Sequence, residues 1–236
     1  MDIVYICRSG DNEELRYSLR SLKHIPHDNV WVFGDAPEWF TGNLVKTQAS
    51  LNPPQEWGKY TKAHRNWEEV VKHPDISDDF MLFNDDFYVM KRQRSLLNFH
   101  RGCMQTMADH YILRHPNSNY TKSINKTLKW LHDLGITEPL SYELHLPMAV
   151  NKAKFAAILD KTMGHERVLL RSIYGNVYNV GGKEIPDCKV YGTHTPLENC
   201  RNYMSSVETA FAAVEPILRW TFPEPSEFER DYGTKN

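Results

Sequence analysis

Residues 80–90 read Phe-Met-Leu-Phe-Asn-Asp-Asp-Phe-Tyr-Val-Met, with two adjacent carboxylates, Asp85 and Asp86, inside an otherwise apolar run. Phe80 to Phe83 suit a buried strand, so the acids fall where that strand closes. Neighbouring carboxylates repel and cost desolvation energy unless positive charge lies between or beside them. Apolar sequence resumes immediately at Phe87, which places the pair at a buried edge rather than on a solvated Asp-rich turn, the plainer alternative. A divalent cation meets the requirement, and in α/β proteins such a cation often holds a diphosphate.

The surrounding order of elements supports an α/β reading. Asp2 to Cys7 is a first buried strand. It is followed by a helix bearing Leu15, Leu19 and Leu22, with Asp11 and Glu14 at capping-box spacing. Val30–Phe33 is a second strand, and Leu44–Thr47 a third. After a turn at Asn52-Pro-Pro54 comes a helix with Ala63, Trp67, Val70 and Val71 on one face, ended at His73-Pro74. Strand, helix, strand, helix, strand predicts a mostly parallel Rossmann-type sheet sandwiched by helices.

From about residue 95 the pattern becomes helical. One helix carries Cys103, Met104, Met107 and Tyr111. A second carries Ile124, Leu128 and Leu131 and stops at Gly135. Further helices are predicted over 149–162 and over 203–219, the latter on the spacing of Met204, Val207, Phe211, Val214 and Leu218. The charged tail from Pro223 reads as a wrapped arm or a frayed end.

With a formal net charge of −2, bulk electrostatics give no reason to expect non-specific nucleic-acid binding. The four cysteines (Cys7, Cys103, Cys188, Cys200) form no CxxC pair, which argues against a zinc site or a disulfide framework. No apolar run reaches the length of a membrane span. A cytoplasmic protein is therefore the expectation.

Three other places carry candidate chemistry. The first strand–helix turn, Arg8 to Asn12, lies where open α/β sheets collect ligands. There Gly10 permits a tight turn, Arg8 can meet phosphate, and Asp11 or Asn12 a base or ribose. His145, in Tyr142-Glu-Leu-His-Leu-Pro147, is flanked by apolar residues before a proline. It is either a metal ligand or proton carrier, or a satisfied structural residue. Arg171 sits in a largely apolar stretch and demands an anion, either a structural carboxylate or a substrate phosphate.

Taken in this order, these places resemble the Stealth family of sugar-phosphate transferases and related proteins. Asp11-Asn-Glu-Glu-Leu-Arg-Tyr-Ser-Leu-Arg-Ser-Leu22 is close to that family's DNxELRYSLRS helix. Trp31-Val-Phe33 with Pro37-Glu-Trp39, Asn84-Asp-Asp-Phe87, His145-Leu-Pro147 and Leu170-Arg171 are similar to its later elements. Lys59 to Asn66 resembles instead the polar helix before the metal motif of GT-A glycosyltransferases.

The resemblance implies a GT-A-like fold with Asp85 and Asp86 at the metal or reacting centre, His145 and Arg171 as further site residues, and His145 as a possible third metal ligand. Arg8, Gly10, Asp11, Asn12 and Lys62 would bind the donor. The implied reaction moves a sugar from a nucleoside-diphosphate sugar, expected to be a UDP-sugar, with Mn²⁺ or Mg²⁺. The acceptor hydroxyl would belong to a glycan or a modified DNA base. Sugar-1-phosphate transfer and a non-catalytic nucleotide- or glycan-binding module are the alternatives. On this reading residues 1–90 hold the donor, 91–140 form a helical acceptor-side insertion, and 141–236 complete the site.

Overall fold

The structure is a computed structural model. It describes residues 1–230 apart from Ser9, Asn52, Glu56, Trp57, Ser95, Leu96, Leu97, His165, Glu166 and Pro196. The start of the expected turn at Asn52 and the last six residues of the tail lie outside the described residues.

The first strand, β1 (Asp2–Cys7), is buried on both faces, as a central parallel strand must be. Helix α1 (Glu13–Ser21) is capped by Asn12, whose Oδ1 accepts from the Leu15 N–H at 3.0 Å. The cap sits one residue beyond the position implied by the Asp11/Glu14 spacing, and Leu22 falls just past the helix end. Glu14 therefore does not complete a capping box, and its side chain is left for the site described below.

Strands β2 (Val30–Gly34) and β3 (Asn43–Lys46) follow, then a single helical turn, α2 (Gln48–Leu51), and the long α3 (Lys59–Lys72). The acidic motif follows β4 (Asp79–Phe83), and the chain re-enters a strand at once as β5 (Phe87–Val89). Next come β6 (Phe99–His100), α4 (Met104–Arg114), α5 (Asn119–Asp133), β7 (Met148–Asn151) and α6 (Lys152–Thr162). The chain finishes with α7 (Leu170–Val177), β8 (Lys183–Glu184), β9 (Lys189–Val190), β10 (Tyr203–Ser206) and α8 (Phe211–Thr221).

The main sheet has the order β3-β2-β1-β4-β7 and is parallel except for the β4–β7 pair. Because side chains alternate across a strand, each face builds its own core. Ile3, Tyr5, Cys7, Val32, Met81 and Phe83 pack with Leu15 and Leu19 of α1 and Leu218 of α8. Val4, Phe33, Phe80 and Leu82 pack on the other face with Val70, Phe155, Ile158 and Ile173. This is the expected mixed α/β architecture, with a mostly parallel sheet between helical layers.

Two predicted helices begin as strands instead. Residues 148–151 pair antiparallel with β4, Phe80 opposite Val150, and Asn151 then caps α6 by accepting from the Lys154 N–H. Residues 203–206 lie in a second sheet, order β5-β10-β9, with all four side chains buried, and the helix waits until Phe211. In both cases hydrogen bonds to a distant strand override a helical apolar spacing that the helix itself continues. Gly34 ends β2 at φ +110°, and a Cβ there would stand 2.2 Å from the Cys7 carbonyl oxygen. Only glycine allows β2 to close so tightly over the end of β1.

The segment before residue 231 is bound to α1. Glu229, nearly buried, accepts from Arg16 Nη1 at 2.8 Å and from Arg20 Nε at 2.8 Å and Nη2 at 2.7 Å. Burial pushes the Glu229 carboxyl up. Arg20, the Ser226 N–H and Arg16 outweigh it and hold the pKa at about 2. A depressed folded pKa adds stability above the unfolded carboxylate range and loses it as pH falls toward 2. Glu229→Ala is expected to cost about 3 kcal/mol at neutral pH, because it leaves two desolvated guanidinium groups short of a partner. Urea denaturation checks this, and the gap from wild type should narrow in acid; an unchanged midpoint would count against the clamp.

Candidate functional site

The C-terminal ends of β1 and β4 open into a cleft of about 900 Å³. Cys7 and Arg8 enter it from β1, Asn84, Asp85 and Asp86 from β4, Glu14 from α1, and Lys62 and Asn66 from α3. Lys189 and Ser206, from the second sheet, close the opposite side. This is where a parallel sheet's crevice gathers ligands.

The two aspartates point to different partners. Asp85 Oδ2 accepts from Asn12 Nδ2 at 2.7 Å, so the residue that caps α1 also holds the first acid. Asp86 Oδ2 accepts from Lys189 Nζ at 2.8 Å and from Ser205 Oγ at 2.9 Å, which ties the motif to β9 and β10. Glu14 accepts from Ser206 Oγ at 3.1 Å. Burial, and then repulsion from Asp86, raises the proton affinity of Asp85 even though Asn12 and Arg8 oppose it. Burial together with Asp85 and Asp86 pushes Glu14 up to about 7. Three carboxylates thus share one cleft, and two of them hold protons more tightly than usual.

Arg8 reaches over this cleft and donates to Glu208 at 2.7 Å, with both side chains largely exposed. Gly10, Asp11 and Asn12 line a smaller adjoining cavity that shares Arg8, Glu14 and Glu208 with the cleft. Gly10 adopts φ +125° in open space, so its requirement is conformational.

His145 and Arg171 line a different cavity, of about 340 Å³, which meets the acidic cleft at Asn84 and Lys189. His145 Nδ1 is 2.8 Å from Asp187 Oδ2. Arg171, expected to need an anion, instead donates from Nη1 to the Leu144 carbonyl at 2.8 Å and from Nη2 to the Leu146 carbonyl at 2.5 Å. Two backbone oxygens engage Nη1 and Nη2 where a carboxylate was the default partner, the buried Nε has no hydrogen-bond partner among the described residues, and the result is a clasp around His145.

Of the expected residues, the fold therefore gathers Arg8, Lys62, Asp85 and Asp86 in one cleft, sets Gly10, Asp11 and Asn12 beside it, and places His145 and Arg171 next door. Sequence reading missed Glu14, Lys189, Ser205, Ser206 and Asp187. Glu14 had a signal that was read as a cap. Lys189 follows Asp187 by two residues in a charged stretch, so nothing local marks its pairing with Asp86. Among the described residues, no three His, Cys, Asp or Glu side chains converge as a ready-made metal shell. The acidic cleft nonetheless offers the hard oxygen donors that Mg²⁺ or Mn²⁺ prefers, with carboxyl groups whose excess charge a cation would relieve. Among the described residues, no helix is long and apolar enough to cross a membrane.

No family model and no curated protein sequence matches the chain. Some solved structures are similar to it. The galactosyltransferase LgtC in complex with donor and acceptor sugar analogs has a TM-score of 0.48 at 11% identity, over 96% of this chain and 98% of that one. An active-site mutant of LgtC gives 0.46 at 12% identity, over 96% and 98%. The apo-form glycosyltransferase GlyE of Streptococcus pneumoniae TIGR4 gives 0.43 at 13%, over 88% of this chain and 54% of that one. These likenesses concern the general course of the chain and assign neither activity nor residue roles.

Because the folded pKa of Glu14 lies above the unfolded value, its proton favours the folded state at low pH, and that contribution is lost as pH rises through about 7. Wild-type stability should therefore fall between about pH 5 and 8. Glu14→Gln should flatten the curve and gain about 1 kcal/mol at its alkaline end, allowing for solvent screening. Denaturation midpoints across that range test this; parallel curves for the two proteins would sink it.

Proposed function

We propose that this chain is a transferase that moves a sugar from a nucleoside-diphosphate sugar to a hydroxyl acceptor, with the donor held in the acidic cleft. The observation that carries the reading is the crowding of Glu14, Asp85 and Asp86 at the C-terminal edge of a parallel sheet. Burial and mutual repulsion leave that cleft with an excess of negative charge that a cation would offset. Basic groups line the same space. Lys62 and Lys189 can meet a diphosphate, and Arg8 can turn from Glu208 to do so because both partners are exposed. Ala49, Ser50 and Pro53 add an uncharged wall suited to a nucleoside. The Asn84-Asp-Asp-Phe87 and Asp11 to Leu22 resemblances point to the same substrate class.

Asp85 and Asp86 are the residues assigned to Mn²⁺ or Mg²⁺. When bound, the ion would supply Lewis-acid neutralisation of the departing diphosphate. The chain's own part is to keep that charge in place. Asn12 holds Asp85, while Ser205 and Lys189 hold Asp86, so neither carboxylate has to be reoriented when the donor arrives. The cytoplasm, with its supply of nucleotide sugars, is the proposed location, and a UDP-sugar the proposed donor.

The Stealth resemblance favours one second reading, transfer of sugar-1-phosphate, and the released nucleotide separates the two. Incubation with a panel of nucleotide sugars and Mn²⁺ or Mg²⁺ should release nucleoside diphosphate, whereas monophosphate would indicate the phosphoryl route. A donor at a hundredfold excess over its dissociation constant should stabilise the protein by about 2.7 kcal/mol. Asp85→Asn and Asp86→Asn should each lower metal-dependent donor consumption by about 100-fold or more. Binding without turnover would mark a non-catalytic module, and unaffected turnover in both variants would refute the assignment.

A further inference from the structure

We propose that His145, oriented by Asp187, takes the proton from a sugar hydroxyl bound in the cavity walled by Tyr111, Tyr120 and Tyr191. The proposal rests on the glycosyl-transfer reading of the adjoining cleft and adds to it the class of acceptor and the residue that activates it.

The first argument is how thoroughly His145 is held. It lies in an irregular segment, yet nearly every polar group around it is fixed from a different part of the chain. Its N–H donates to Asp187 Oδ1 at 3.1 Å, and its carbonyl accepts from Cys188 Sγ at 3.1 Å. The carbonyls on either side are clasped by Arg171, which stacks its guanidinium 5.8 Å from the centre of the Phe87 ring. Nδ1 is engaged by Asp187 Oδ2 at 2.8 Å, and a carboxylate there places the proton on Nδ1. That leaves the lone pair on Nε2, for which the described residues supply no partner. The side chain is 28% exposed and lines the cavity.

The second argument is what lies around it. The cavity brings together Tyr111, Tyr120, Tyr191, Glu143, His145 and Lys189. Tyr111 and Tyr120 meet edge to face, with centroids 5.0 Å apart. Glu143 uses Oε1 to accept from the Ser172 N–H and hydroxyl, at 3.2 and 2.9 Å. Aromatic walls with a few oriented polar groups suit a pyranose, whose C–H face packs on rings while its hydroxyls meet carboxylate and imidazole. The cavity shares Asn84 and Lys189 with the donor cleft, so an acceptor here would lie beside the reacting carbon. A nucleic-acid acceptor is disfavoured by the net charge of −2 and by the acids of the adjoining cleft.

Asp187 is a positioning residue. Burial pushes its carboxyl up, but the hydrogen bonds from His145, with Arg101 beyond, hold it below its ordinary range. In the step itself, the acceptor O–H proton passes to His145 Nε2. The acceptor oxygen forms a bond to the donor's anomeric carbon. The bond from that carbon to the diphosphate oxygen breaks, and its electron pair leaves with the nucleoside diphosphate. Asp187 stabilises the imidazolium without taking its proton.

The test uses the full chain with UDP-glucose or UDP-galactose, Mn²⁺, and methyl glycosides of glucose, galactose and mannose as acceptor probes. Asp187→Asn should lower kcat for transfer about 100-fold while leaving donor KM and donor-induced stabilisation unchanged. His145→Gly should lose transfer but keep donor stabilisation, and added imidazole should restore transfer at least several-fold. Either variant transferring at the wild-type rate overturns the proposal. So does a wild-type protein whose donor turnover is stimulated by duplex DNA and by none of the glycosides. Failure of the cleft reading would show separately, as no donor-induced stabilisation in wild type and variants alike, and would bring this proposal down with it.

Discussion

The crowding of Glu14, Asp85 and Asp86 around one cleft is the constraint on which the other features depend. Like charges in a partly desolvated space are costly, and these acids are held from the start of α1 and from the second sheet, with β10 holding both Asp86 and Glu14. Asn12 joins Asp85 to the start of α1, while Lys189 and Ser205 join Asp86 to the second sheet. The acids thus act as connectors between layers as well as candidate ligands. Their residual charge, seen in the raised proton affinities of Asp85 and Glu14, is what the connections leave uncompensated.

Beside that cleft is a cavity of different character. The acidic cleft mixes carboxylates with Lys62, Lys189 and Arg8; the second combines tyrosine rings with one carboxylate and one imidazole. Asn84 and Lys189 border both, so the end of β4 and the start of β9 mark the line where two substrates would meet. Arg171 lies behind this line. Its two carbonyl contacts fix the peptide units around His145, a role that burial and a planar donor fork suit better than phosphate binding.

Much of the fold was readable because strong periodic signals and local breakers agreed. The apolar runs at 2–7, 30–33 and 80–83 became the central parallel strands, and His73-Pro74 closed α3 as expected. The misreadings occurred where two periods overlapped. Met204, Val207, Phe211, Val214 and Leu218 fit one helical face, yet Met204 is in a strand and Phe211 opens the helix. Residues 148–151 misled in the same way, because short apolar runs do not reveal their period. The Asp11/Glu14 pair shows a subtler limit: two acceptors one residue apart can each cap, and packing chose Asn12.

By itself, the sequence determined that two adjacent acids would stand at the end of a buried strand in a mostly parallel α/β sheet, with Arg8 and the α1 start close by. Local chemistry suffices for this, since strand burial and helix onset depend on neighbours a few residues away. Only the tertiary structure decided what those acids touch and where His145 faces. Lys189 reaches Asp86 across 103 residues, and Asp187 reaches His145 across 42. Such pairings are set by the stacking of the second sheet against the first. No spacing in the chain encodes that, because contacts of this range depend on how whole layers pack.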